Sequence, residues 1–165
     1  MKRQLTLTVI FLLLTAFYGS AQKRNDPGQN RADSIRQDIL QTAYNQLGVP
    51  YKYAGRHPDS GFDCSGYVHY VFGQHGYELP VRSVDYMQIG SSVAKEQAIA
   101  GDIIIFAGSD KIKTPVGPVG IITENKNGRI TFIHSASSAD RGIVVSHLSL
   151  GYYKTRFAGI RRIEL

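Results

Sequence analysis

Apolar residues recur at helical spacing across residues 33–47, where Ile35, Ile39, Leu40, Ala43, Tyr44 and Leu47 make one stripe. Asp33 or Ser34 caps that helix, and Gly48 with Pro50 ends it. A second helical pattern opens after Asp63, its predicted cap, with Val68, Val71 and Phe72 facing a core, and stops near Gly73 or Gly76. Between the two, residues 56–61 read as a polar loop. A short third helix, capped by Ser83 and carrying Tyr86, Met87 and Ile89, follows the Leu79-Pro80 turn. From Gly101 the texture changes to short runs rich in Ile, Val and Phe: residues 102–107, 119–124, 129–134, 143–147 and 157–163. Asn127-Gly128 between the second and third run is a strong two-residue hairpin signal. Helices first and consecutive strands afterwards predict an α+β domain, with the helices packed on one side of an antiparallel sheet.

The N-terminus has a different logic. Lys2 and Arg3 precede a nearly unbroken apolar run over residues 5–17, and Gly19-Ser20-Ala21 offers small residues for cleavage. Residues 1–21 therefore read as a secretory signal peptide cut before Gln22, 22–32 as a flexible leader and 33–165 as the folded domain. The apolar run is short of the roughly 20 residues a spanning helix needs, so no stable membrane span is expected after cleavage; a retained anchor is the alternative. The expected location is outside the cytoplasm, in the periplasm or the medium. Cleavage lowers the formal charge of +6 by the two cations it removes. The remaining excess shows no basic run or aromatic-interleaved patch of the nucleic-acid-binding kind.

The chain has one cysteine. A lone thiol cannot form an intramolecular disulfide, and in an oxidising compartment an unpaired cysteine is a liability unless it has a task. Cys64 falls in the first turn of the helix capped by Asp63, where free backbone N–H groups and the helix dipole favour thiolate. The alternative is a small buried residue that packs the helix. A cysteine nucleophile needs an imidazole to take the thiol proton and return one to the leaving amine, and a further polar group to orient that imidazole. Of the five histidines, His69 faces away from Cys64, His57 and His75 lie in loops, and His147 ends an edge-like strand. His134 ends the strand Ile130-Thr131-Phe132-Ile133, where a rigid sheet can hold a catalytic group. The histidines show no ligand spacing and there is no second cysteine, so neither a metal nor another cofactor is implied.

The runs Pro50-Tyr51-Lys52-Tyr53-Ala54-Gly55, Asp63-Cys64-Ser65-Gly66-Tyr67-Val68, Leu79-Pro80, Ala100-Gly101-Asp102-Ile103, Val119-Gly120-Ile121 and Phe132-Ile133-His134-Ser135-Ala136-Ser137 resemble, in order, the NlpC family of papain-like bacterial cell-wall cysteine peptidases. The resemblance implies a papain-like fold, with N-terminal helices on an antiparallel sheet or half-barrel of about five to six strands. It also implies hydrolysis of peptidoglycan stem peptides, typically between γ-D-glutamyl and a diamino acid. Cys64 matches the nucleophile, with its N–H in the oxyanion hole, and Tyr51 the tyrosine beside the thiol. Asp63 and Ser65 match the pair that reads the stem peptide, and His134 the histidine that orients the base. For Tyr53, simple aromatic packing is the preferred reading.

The match fails at one position. The family's base opens a strand written His-Val-Gly-Ile, and here that strand reads Pro118-Val119-Gly120-Ile121. Proline cannot move a proton. Lesser departures are Ala54, where glycine is usual, and a loop before Cys64 about one residue longer. Three readings follow: an endopeptidase with His134 or a loop histidine as substitute base, a silent homologue that grips stem peptides through Tyr51, Asp63 and Ser65, and a thiol enzyme of another class, such as an acyltransferase or amidase. Oligomeric state is not legible in the chain.

Overall fold

The computed structural model describes residues 27–108, 116–137 and 142–165. The segment expected to be a signal peptide, and the expected leader up to residue 26, lie outside the described residues. Residues 31–165 form a compact unit that carries every described strand.

Helix α1 spans Pro27–Tyr44. It begins six residues ahead of the predicted cap, so residues 27–32, read as flexible leader, are helical. Pro27 suits a first helical position because its fixed φ is already helical and its missing N–H would have had no partner there. The added turn is polar and contributes no apolar periodicity, which is why the pattern missed it. Ile39 and Ala43 are buried, and Leu47, expected in the same stripe, lies beyond the helix and is 49% exposed.

Strands β1 (Arg56–His57) and β2 (Gly61–Phe62) form a small antiparallel hairpin within the predicted loop. Helix α2 (Cys64–Gly73) follows at once and buries Tyr67, Val68, Val71 and Phe72. The predicted third helix is a 3-10 turn over Ser83–Gln88, with Arg82 rather than Ser83 at its cap position and Tyr86 buried.

The main sheet has six strands: β3 (Ser91–Ser92), β4 (Ile103–Phe106), β5 (Val119–Lys126), β6 (Arg129–Ala136), β7 (Gly142–His147) and β8 (Phe157–Arg162). Their order is β3-β8-β4-β5-β6-β7, antiparallel throughout. The C-terminal strand thus inserts beside β4 instead of extending the meander. Arg162 fixes that insertion by pairing with buried Asp102 at 2.8 and 2.7 Å. Asn127 and Gly128 both have positive φ, 53° and 80°, as a two-residue turn matched to strand twist requires.

Alternation along the strands divides the core. Val119, Ile121, Ile133 and Ile143 face α1 and α2. Ile104, Phe106, Ile122, Ile130, Phe132 and Ile160 face the other way. That second face is covered too, which corrects the expectation of helices on one side only. Tyr153 of helix α3 (Gly151–Arg156) closes over it, packing on Phe106 and Phe132 at ring distances of 5.3 and 5.0 Å. One turn of Gly-Tyr-Tyr-Lys-Thr-Arg has no amphipathic period, so only the sheet surface beneath it makes this helix worth forming.

Candidate active site

Asp63 caps α2 as expected: its carboxylate accepts from the Gly66 N–H at 2.6 Å, with the Ser65 hydroxyl oxygen 3.2 Å away. The loop before α2 is tied down by backbone bonds, Lys52 N–H to Phe62 O at 3.0 Å, Phe62 N–H to Pro50 O at 3.1 Å and Asp63 N–H to Gly55 O at 3.0 Å. Gly66 permits this closeness, since a Cβ there would clash with the Gly55 carbonyl oxygen. The same ties bring Tyr51 alongside Phe62 and against the start of α2.

Cys64 is half-buried at the first position of α2. Its sulfur lies where the N–H of Val119, first residue of β5, reaches it, together with the N–H groups of Ser65 and Cys64 itself. Those donors favour thiolate, but burial outweighs them and the Asp63 charge adds to burial, so the thiol titrates above its ordinary range. The expectation of an easily ionised cysteine, drawn from the helix N-terminus alone, is therefore corrected: the resting group at neutral pH is the thiol.

Tyr51 belongs to the same cluster. Its phenol is raised first by burial and then by the negative charges of Cys64, Asp63 and Tyr53. Tyr86, not singled out from the sequence, lies beneath: its hydroxyl donates to the Ser65 carbonyl at 3.3 Å, and chiefly burial, then Cys64 and Asp63, holds its phenol above the ordinary value. No local motif marks Tyr86, because the 3-10 turn carrying it reaches α2 only through the tertiary fold. Tyr53 is 84% exposed, so aromatic packing does not account for it. Ser65 is buried and donates to the Val81 carbonyl at 2.9 Å, which turns its hydroxyl inward.

His134 sits elsewhere. On β6 it shares a face with Phe132, whereas Ile133 and Ser135 point toward α2, the latter donating to Phe62 O at 2.7 Å. Its Nε2 lies 3.1 Å from both the Ser146 and the Tyr153 hydroxyl oxygens, and its ring is 5.0 Å from Phe132 and 5.3 Å from Tyr153. Burial lowers its pKa to about 4, so the imidazole is neutral at pH 7. Nδ1 is buried with no hydrogen-bond partner. A proton on Nε2 leaves only a lone pair unmatched there. Burial sets the direction of the pKa shift, against an opposing contribution of the Ser135 backbone.

Nor does another described histidine bond to the sulfur. His69 uses Nδ1 on the Leu79 carbonyl at 2.6 Å, His75 meets Thr42 at 2.9 Å, His57 meets Asp59 at 3.3 Å, and His147 meets Thr131 at 3.3 Å. Pro118 stands directly before the residue whose N–H touches the thiol. By alternation it shares a face with Gly120, where an added Cβ would lie 3.0 Å from the His134 Cβ. Position 118 thus lies on the His134 side of the sheet, and its side chain carries no proton acceptor.

A family model described as NlpC/P60 matches residues 48–162. The chain belongs to the NlpC/P60 family. It is 36% identical over 127 residues to a gamma-DL-glutamyl hydrolase of Bacillus subtilis, covering 76% of this chain and 29% of that one. It is 29% identical over 147 residues to the Escherichia coli murein DD-endopeptidase MepS/murein LD-carboxypeptidase, covering 87% and 72%. Among solved structures, an NLP/P60-family protein similar to lipoprotein from Staphylococcus aureus superposes with a TM-score of 0.70 at 30% identity, covering 79% of this chain and 42% of that one. The chain spans about a third of the length of the first curated relatives it matches. The papain-like α+β reading agrees with these neighbours.

Proposed function

We propose that this NlpC/P60 chain is an exported peptidoglycan hydrolase of the endopeptidase type, acting on stem peptides through Cys64 and impaired by the missing side-chain base at residue 118. The supporting observation is the grouping of Cys64, Asp63 and Tyr51 at the start of α2, with the Val119 N–H on the sulfur. As thiolate, its proton given to solvent, Cys64 attacks the scissile carbonyl with its own N–H facing the developing oxyanion and the Tyr51 hydroxyl assisting from beside the thiol. The C–N bond then breaks, the amine leaves with a proton from solvent, and water hydrolyses the thioester to free the product acid and restore Cys64. Asp63, fixed as a cap, offers its charge to a substrate amine. His134 is suited to support a group at position 118 and not to contact the sulfur. Relatives whose names describe hydrolysis of γ-glutamyl and murein peptide bonds favour stem peptides as the substrate class.

A second reading rests on Pro118 itself: a module that binds stem peptides without turnover. Incubating the exported chain and its Cys64→Ala variant with muropeptides of several stem types separates the two. New termini produced by the wild type and abolished in Cys64→Ala support the hydrolase. Saturable binding with no new termini supports the silent module, and neither result would discard both.

A further inference from the structure

A recess opens on the sheet face turned away from Cys64. Leu148 and Phe157 form its apolar part, Lys95, Arg129, Lys154 and Ser149 its polar part, and its volume is about 200 Å3. Three separate elements bring the cations together: the 3-10 turn Lys95–Gln97, the first residue of β6, and α3.

The walls are preset. Asn125 donates through Nδ2 to the carbonyls of Lys95 and Ala98 at 3.1 and 2.9 Å, pinning the turn that carries Lys95. The Leu148 N–H bonds Ile130 O at 2.9 Å, and the Lys154 N–H bonds Leu150 O at 2.9 Å. Among the described residues no acidic side chain lines the recess, and none of its three cations is in an ion pair. Glu124 is engaged by Lys126 at 2.6 Å, and Glu96 lines the neighbouring open hollow. Three cations converging on one cavity, with no internal counter-charge, leave a positive focus.

We propose that this recess binds a phosphate group carried on a body with an apolar edge. A tetrahedral phosphate directs oxygens toward several walls at once, which suits three separated cations and a serine hydroxyl. The Arg129 guanidinium can take two of those oxygens. A carboxylate, with two coplanar oxygens and one charge, would leave cations unmatched. Leu148 and Phe157 receive the ester body. The phosphate comes either from a free monoester or from a polyphosphate chain, and binding here is independent of the Cys64 site.

The test is an amide-shift titration of the isotopically labelled chain at ~0.15 M salt, where weak surface attraction is screened. Probes are inorganic phosphate, a phosphate monoester, polyphosphate and polyglutamate. Saturable shifts at Gly128, Arg129, Leu148 and Lys154, with Kd near ~1 mM for the monoester, are expected. The combined variant Lys95→Gln, Arg129→Gln, Lys154→Gln should weaken binding at least ~10-fold while its unfolding midpoint stays near wild type. Tighter binding of polyphosphate per phosphate assigns the polymer source, and equal binding the free ester. Absence of saturable shifts at ~10 mM phosphate, unchanged binding by the variant, or polyglutamate matching polyphosphate would overturn the proposal.

Discussion

Replacing Pro118 with histidine tests whether one side chain separates this site from a working one. On the proposed mechanism the half-buried Cys64 thiol titrates high, so little thiolate is present at neutral pH, and no histidine among the described residues bonds the sulfur to return a proton to a leaving amine. Residue 118 precedes the one whose N–H touches the sulfur, and it lies diagonally across from His134, whose Nδ1 has no partner. A histidine there would lie on the His134 side of the sheet, at the strand end that carries the Val119 N–H. Acid–base catalysis by a placed imidazole contributes ~10²–10⁴-fold. At 1.36 kcal/mol per decade, that lowers the barrier by about 3–5 kcal/mol. The fold tolerates the change: the Pro118 carbonyl still accepts from the Phe106 N–H at 3.0 Å, and losing the proline ring costs about 0.4–1 kcal/mol through unfolded-chain entropy. The assay is kcat/KM on a muropeptide by mass-resolved chromatography near pH 7.5, beside Pro118→Ala as control. A gain of at least ~100-fold specific to histidine is expected. A Pro118→His protein that folds, alkylates at Cys64 and yet cleaves within about threefold of the alanine control would refute the reasoning.

His134 titrates near 4 when folded against 6.5 ordinarily. Between those values the unfolded chain takes the proton first, so its contribution of about 3 kcal/mol is present above pH 6.5 and lost as pH falls toward 4. Urea unfolding across that range should show this loss, and His134→Gln should flatten it; an unflattened curve would assign acid sensitivity elsewhere. Iodoacetamide labelling of Cys64 should accelerate steadily with pH up to the alkaline range, because burial raises the thiol; a plateau near neutrality would contradict that electrostatic account. Ala54 has φ 56°, a left-handed conformation costly for a residue with a Cβ, so Ala54→Gly should stabilise by about 0.5–1 kcal/mol in thermal unfolding. Asp63→Ala removes the cap bond to the Gly66 N–H and should cost about 1–2 kcal/mol, with faster hydrogen exchange in the first turn of α2.

Local chemistry was legible wherever a residue acts on its sequence neighbours. Asp63 caps α2 because its carboxylate lies three residues from the N–H it accepts, and Asn127-Gly128 turns because both residues accept positive φ. The five apolar runs became strands because their Ile, Val and Phe need a sheet to bury them. Order along the chain placed Cys64 at a helix start, and the family resemblance drew attention to the proline at residue 118. Only the tertiary structure decided the rest, since it depends on what is brought in from afar. β8 slots beside β4, Tyr86 comes under Ser65, and Tyr153 closes over His134. The thiol shows the difference most clearly: the helix start alone argues for thiolate, but desolvation, a property of everything packed around the sulfur, reverses the sign.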